Sequence, residues 1–138
     1  MTPKEIVREY VERIWNDGDA DAFDVLVAPD YVSHDPVDEQ PVRGREALKQ
    51  LVADYHASFP DLVNTIHELV AEGDIVATRW SSTGTHQGPV FGIPATGRRR
   101  DVTGMNFIRV EDGMVAEEWH NWDTLGMLRQ LGVVPDAF

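Results

Sequence analysis

Apolar residues recur at helical spacing through the first 59 positions and at strand spacing beyond them. Thr2-Pro3-Lys4-Glu5 reads as a capping box with proline at the first helical position, followed by one stripe of Ile6, Val7, Tyr10, Val11, Ile14 and Trp15. Asn16-Asp17-Gly18 ends that helix. Asp19 is placed to cap a shorter one that buries Phe23, Leu26 and Val27 and is closed by Pro29. Tyr31 to Pro36 is extended and enters a proline-bearing loop ending near Gly44. A third helix, Arg45 to Phe59, carries Leu48, Leu51, Val52, Tyr55 and Phe59 on one side before Pro60 stops it. Strands from Leu62 to Glu72 and from Ile75 to Gln87 flank the turn Glu72-Gly73-Asp74. After a loop from Gly88 to Gly97 come a long hairpin, Asp101 to Asp123, and a closing helix from Thr124 to Leu131, ended by Gly132. Helices first and a strand meander afterwards is an α+β plan, with a curved antiparallel sheet wrapped around the helices and a central apolar pocket between them.

The hairpin organises the rest. Asp112-Gly113 suits a two-residue type I′ turn, which fixes the pairing outward from it. A regular ladder sets Val110 opposite Val115, Ile108 opposite Glu117, Asn106 opposite Trp119, Gly104 opposite Asn121 and Val102 opposite Asp123 on one face. Asn106, Asn121 and Asp123 then converge beside an indole, with Gly104 leaving space in front of them. A three-residue turn with a bulge would slip this register by one and turn the set to the other face. That other face, with Met105, Phe107, His120 and Trp122, reads as an interface with a second copy of the chain.

Composition narrows the partners. The chain of 138 residues with 42% hydrophobic content is expected to form one domain, residues 1–138. A net charge of −12, with arginines clustered only at Arg98-Arg99-Arg100, argues against nucleic acid and anionic lipid. No run matches a membrane span, and the charged N-terminus is unlike a signal peptide, so the expected location is cytoplasmic. With no cysteine and five histidines lacking ligand spacing, neither a metal nor thiol chemistry is expected.

The runs Gly84-Thr85-His86-Gln87-Gly88, Gly92-Ile93-Pro94-Ala95-Thr96-Gly97-Arg98, Phe107 to Gly113, Glu117-Glu118-Trp119, Asp123 and Met127 to Gly132 resemble the SnoaL-like polyketide cyclases, within the NTF2-like superfamily. The resemblance runs over nearly the whole chain. It implies a cone-shaped NTF2-like barrel and a cofactor-free intramolecular aldol condensation on an apolar, carbonyl-bearing small molecule, with an aspartate at the start of the last helix as acid and base. Asp123 matches that position. The superfamily also holds ketosteroid isomerases, epoxide hydrolases and proteins without known activity, so a non-catalytic binding module is a further reading. Epoxide hydrolysis would need Asp101 or Glu117 in the cavity beside Asp123.

A carboxylate that abstracts such a proton needs a dry pocket and donors for the enolate, which Asn106, Asn121 and Trp119 are placed to supply. Sequence spacing alone favours Asp123 as the helix N-cap, its oxygen taken by backbone N–H groups; the resemblance is what places it in the chemistry. His86 reads as an assistant in proton transfer or as a loop residue. His34 stands at the entry of the cone as a contact or a turn residue, and Trp80, Tyr55 and Trp15 read as wall residues that shape an apolar ligand.

Overall fold

A computed structural model describes residues 1–135. The elements are α1 (Pro3–Glu9), a π-helical continuation (Tyr10–Asn16), α2 (Ala22–Leu26), β1 (Val27–His34), β2 (Val42–Arg43), α3 (Arg45–Ser58), β3 (Val63–Glu72), β4 (Ile75–Thr85), β5 (Arg99–Glu111), β6 (Met114–Trp122) and α4 (Thr124–Gln130). The capping box forms as expected: Thr2 Oγ1 accepts from Glu5 N at 3.2 Å, and Glu5 reaches back to Thr2. Beyond Glu9 the helix widens, with Asp17 N bonded to Glu12 O at 3.0 Å. Such widened turns shift the side chains that follow relative to a straight α-helix. Here Tyr10 and Ile14 are fully buried, and Trp15 borders the interior.

One sheet holds all six strands in the order β2-β1-β6-β5-β4-β3. Its long meander, β3 to β6, is antiparallel as expected. The all-antiparallel expectation needs one correction, because β1 runs parallel to β6. The stretch from Val27 is strand where the sequence suggested the end of a helix, and the pairing with β6 supplies the ladder that local propensity did not announce. β1, β2 and the helices close the sheet into a cone. The core joins α1, α2 and α3 to the inner faces of β1, β4, β5 and β6 through residues such as Val7, Leu26, Leu48, Val76, Ile108 and Val115. A second cluster, Phe59, Leu62, Val90, Val102, Met127 and Leu131, seals the other end under α4.

The β5–β6 hairpin decides what faces inward. Asp112 and Gly113 both have positive φ, 53° and 76°, as a type I′ turn requires. Glu111 pairs with Met114 and Val110 with Val115, but the next pair is Arg109 with Glu117. Ala116 is the extra residue of a β-bulge. Beyond it Ile108 pairs with Glu118, Asn106 with His120 and Gly104 with Trp122. The regular register expected from the sequence is therefore corrected by one residue. Glu118, His120 and Trp122 turn inward, while Trp119 and Asn121 turn to the outer, exposed face.

Among the described residues, no helix is long and apolar enough to cross a membrane. The outer face of the sheet carries large apolar side chains in the open: Met105 is 63% exposed and Phe107 57%.

Candidate active site

A cavity of about 500 Å³ opens between the sheet and the helices. Its wall is mostly apolar, with polar groups gathered at a few points. At one of them lies Glu118, 1% exposed. Glu118 Oε1 accepts from the hydroxyls of Tyr10 and Tyr31, the latter at 2.8 Å. Tyr10 comes from the π-helical turn and Tyr31 from β1. Burial, followed by the negative charge of Glu118, pushes both phenols well above the usual tyrosine range, so they remain neutral donors. Trp15 Nε1 donates to the Tyr10 oxygen at 3.1 Å, completing a chain of donors that ends at the carboxylate.

Glu118 Oε2 is less engaged. Asn106 Nδ2 stands 3.5 Å away and His120 Nε2 3.7 Å. His120 Nε2 also lies 2.9 Å from Ser33 Oγ. Asn106 is fixed by Trp80, whose Nε1 donates to Asn106 Oδ1 at 3.0 Å. Alternation along β6 thus brings Glu118, His120 and Trp122 to one wall, and the register of β5 sets Asn106 opposite His120.

Trp122 Nε1 donates to Asp35 Oδ2 at 2.9 Å, and its ring stacks on Phe91 with centroids 6.2 Å apart. Asp38 is pushed up from the usual carboxylate range by burial, then by the neighbouring Asp35. Elsewhere on the wall Arg100 is 3% exposed, its guanidinium 4.1 Å from the centre of the Phe59 ring. Burial lowers it to about 10, so it stays charged at neutral pH. Tyr55 is pushed up to about 12, first by burial and then by Asp35.

Of the residues singled out in the sequence, Asn106, Trp80, Tyr55 and Trp15 line the cavity. Asp123 does not. It is exposed, and its Oδ1 accepts from Gly126 N at 2.8 Å as the N-cap of α4, which corrects the inward placement expected of it. Trp119, Asn121 and His34 border a separate surface groove with Asp38, and His34 Nε2 lies 2.6 Å from Glu117 Oε2 while stacking on Trp119. Gly104 leaves no open space: a Cβ there would stand 2.3 Å from the Trp80 ring, which already fills it. His86 is fully buried away from the cavity, its Nδ1 held by Thr96 Oγ1 and Thr96 N at 3.0 and 3.2 Å. That arrangement anchors the β4–β5 loop. Asp101 and Glu117 are also outside the cavity, so the carboxylate pairs named for epoxide hydrolysis do not assemble there.

Residues 5–131 match the sequence model of the SnoaL-like polyketide cyclases. The chain belongs to that family. Aklanonic acid methyl ester cyclase DauD of Streptomyces sp. (strain C5) is 31% identical over 137 residues, covering 96% of this chain and 83% of the relative. Nogalonic acid methyl ester cyclase of Streptomyces nogalater is 30% identical over 120 residues, covering 86% and 89%. Among solved structures, IdmH from Streptomyces antibioticus shares 36% identity with a TM-score of 0.82, covering 96% of this chain and 100% of that one. TsrD from Streptomyces laurentii shares 33% with a TM-score of 0.84, covering 95% of each.

Within this SnoaL-like frame, the groups that sequence reasoning passed over are Glu118, His120, Tyr10, Tyr31 and Arg100. The alternation Glu118-x-His120-x-Trp122 was the available signal. In a regular ladder that set faces outward, and the bulge at Ala116 turns it inward.

Proposed function

We propose that this chain catalyses a cofactor-free intramolecular carbon–carbon bond formation, an aldol cyclisation or a closely related enolisation, on an apolar molecule bearing carbonyl groups. The observation that carries this reading is the buried carboxylate of Glu118 beside His120 on the wall of an apolar cavity. Removing a proton next to a carbonyl requires a base in reach and donors for the oxygen that gains charge. Histidine exchanges protons near neutral pH. In the tautomer that has His120 Nε2 donating to Ser33 Oγ, Nδ1 keeps its lone pair, and among the described residues it has no hydrogen-bond partner. In this mechanism His120 Nδ1 takes the proton, and Glu118 Oε2 stabilises the imidazolium across 3.7 Å. The N–H of Asn106 Nδ2 nearer the ligand meets the enolate oxygen. The enolate carbon attacks a second carbonyl of the same molecule, and the resulting alkoxide takes the proton back from His120. Atoms and charge balance without an external reagent.

The outer face of the sheet is proposed as the contact with a second copy of the chain. Val70, Ala77, Phe107 and Trp119 stand in register across β3, β4, β5 and β6 and form one transverse apolar row, which ends at the His34 ring on β1.

The test offers aklanonic acid and its methyl ester to the purified protein and follows a product of unchanged mass by chromatography. Glu118→Gln and His120→Gln preserve size and hydrogen bonding. Each is expected to lower turnover about a hundredfold or more, while Asp123→Asn leaves it within about threefold, the spread of a lost exposed cap. Unchanged turnover in both Glu118→Gln and His120→Gln removes this pair from the mechanism.

A further inference from the structure

Arg100 has no role in the proton transfer, yet its placement is costly. The guanidinium carries five N–H groups. Among the described residues it makes one hydrogen bond, Nη1 to Ser82 O at 3.0 Å, and Nε has no partner. No carboxylate of those residues pairs with it. The acids whose charges act on it, Asp61 and Asp101, are both exposed, and Asp61 is already occupied by Thr85 N and Thr85 Oγ1 at 2.7 and 2.8 Å. Burying an unpaired charge is expensive unless a counter-ion arrives.

The surroundings hold the guanidinium in place. Arg100 sits opposite Gly84 on β4, where the absent side chain leaves room for Phe59; a Cβ on Gly84 would lie 3.0 Å from Phe59 Cβ. The Phe59 ring supports the flat guanidinium at 4.1 Å, so its edge rather than its face is left for a ligand. Tyr55 lines the same cavity, and among the described residues its hydroxyl makes no hydrogen bond, which leaves it as a second donor. Asp35, Asp38, Asp54 and Glu118, also on the cavity wall, repel an anion, so the guanidinium is the point where a ligand's negative end gains most.

We propose that Arg100, with Tyr55, forms a carboxylate-binding subsite, and that the ligand of this chain is an apolar, carbonyl-bearing carboxylic acid in its ionised form. The relatives are named for methyl esters; here the free acid is favoured. The proposal rests on reading the cavity as a substrate site, and it is independent of which residue moves the proton.

Binding tests it directly. Anthraquinone-2-carboxylate and its methyl ester are titrated against the wild-type chain at pH 7, read by quenching of the cavity tryptophans Trp15, Trp80 and Trp122. The acid is expected to bind at least roughly tenfold tighter than the ester, the scale of one charge-assisted pair. Arg100→Met is expected to bring the two within about twofold, and Arg100→Lys to retain part of the preference. His120→Gln is expected to leave the preference intact, so a failed proton-transfer mechanism and a failed subsite give different results. Equal or tighter binding of the ester by the wild type overturns the proposal without any variant. So does an acid preference that survives in folded Arg100→Met. Should Arg100→Met fail to fold, Tyr55→Phe serves in its place, with an expected threefold or larger drop in acid affinity and none in ester affinity; an unchanged ratio there counts against the subsite.

Discussion

Asp123 and Glu118 show how location divides the work of two carboxylates five residues apart. Asp123 follows β6 in the open and caps α4 through Gly126 N, so Asp123→Ala is expected to cost about 1 kcal/mol of stability in urea denaturation. A loss of turnover without a loss of stability would return Asp123 to the chemistry. Asp61 makes a parallel point about pH. The N–H of Thr85 and then its hydroxyl lower the Asp61 carboxyl below its usual value. A group depressed on folding stabilises the native state above its unfolded pKa and ceases to do so as pH falls through its folded one. The stability difference between the wild type and Asp61→Asn is therefore expected at pH 6 and to vanish as pH falls below the ordinary carboxylate range. A difference that stays constant down to pH 2 would contradict that linkage.

Most elements were readable from local patterns because each carries its own punctuation: the capping box at Thr2, the stop at Pro60, Asp-Gly at the hairpin. The bulge at Ala116 carries none. Glu117-Glu118 presents a carboxylate inward in either register, so alternation could not decide which one. That single step hid the buried pair and sent Trp119 and Asn121 to the wrong side. The parallel strand β1 was equally silent, because its partner lies about 85 residues away in sequence. Close strand packing at Gly104 gives a further prediction. Gly104→Ala would push the Trp80 ring off β5 and break its bond to Asn106, costing about 1–3 kcal/mol. Denaturation measures the cost, and unchanged stability would show that the indole has another seat.

At the scale of the whole molecule, the uncovered row through Phe107 is expected to hold two copies together. Sedimentation should find the wild type dimeric and Phe107→Lys monomeric, since a charge there enters the middle of an apolar contact. A monomeric wild type would leave that face without an occupant. The cone itself imposes an order on its own making. Tyr10 and Tyr31 reach Glu118 across 108 and 87 residues, and β1 has no long neighbour until β6 arrives. Contacts so distant along the chain form slowly and late. A nascent polypeptide still emerging from the ribosome thus has its first strand waiting, Tyr10 and Tyr31 without their carboxylate and the cavity open along one side, until β6 has been made.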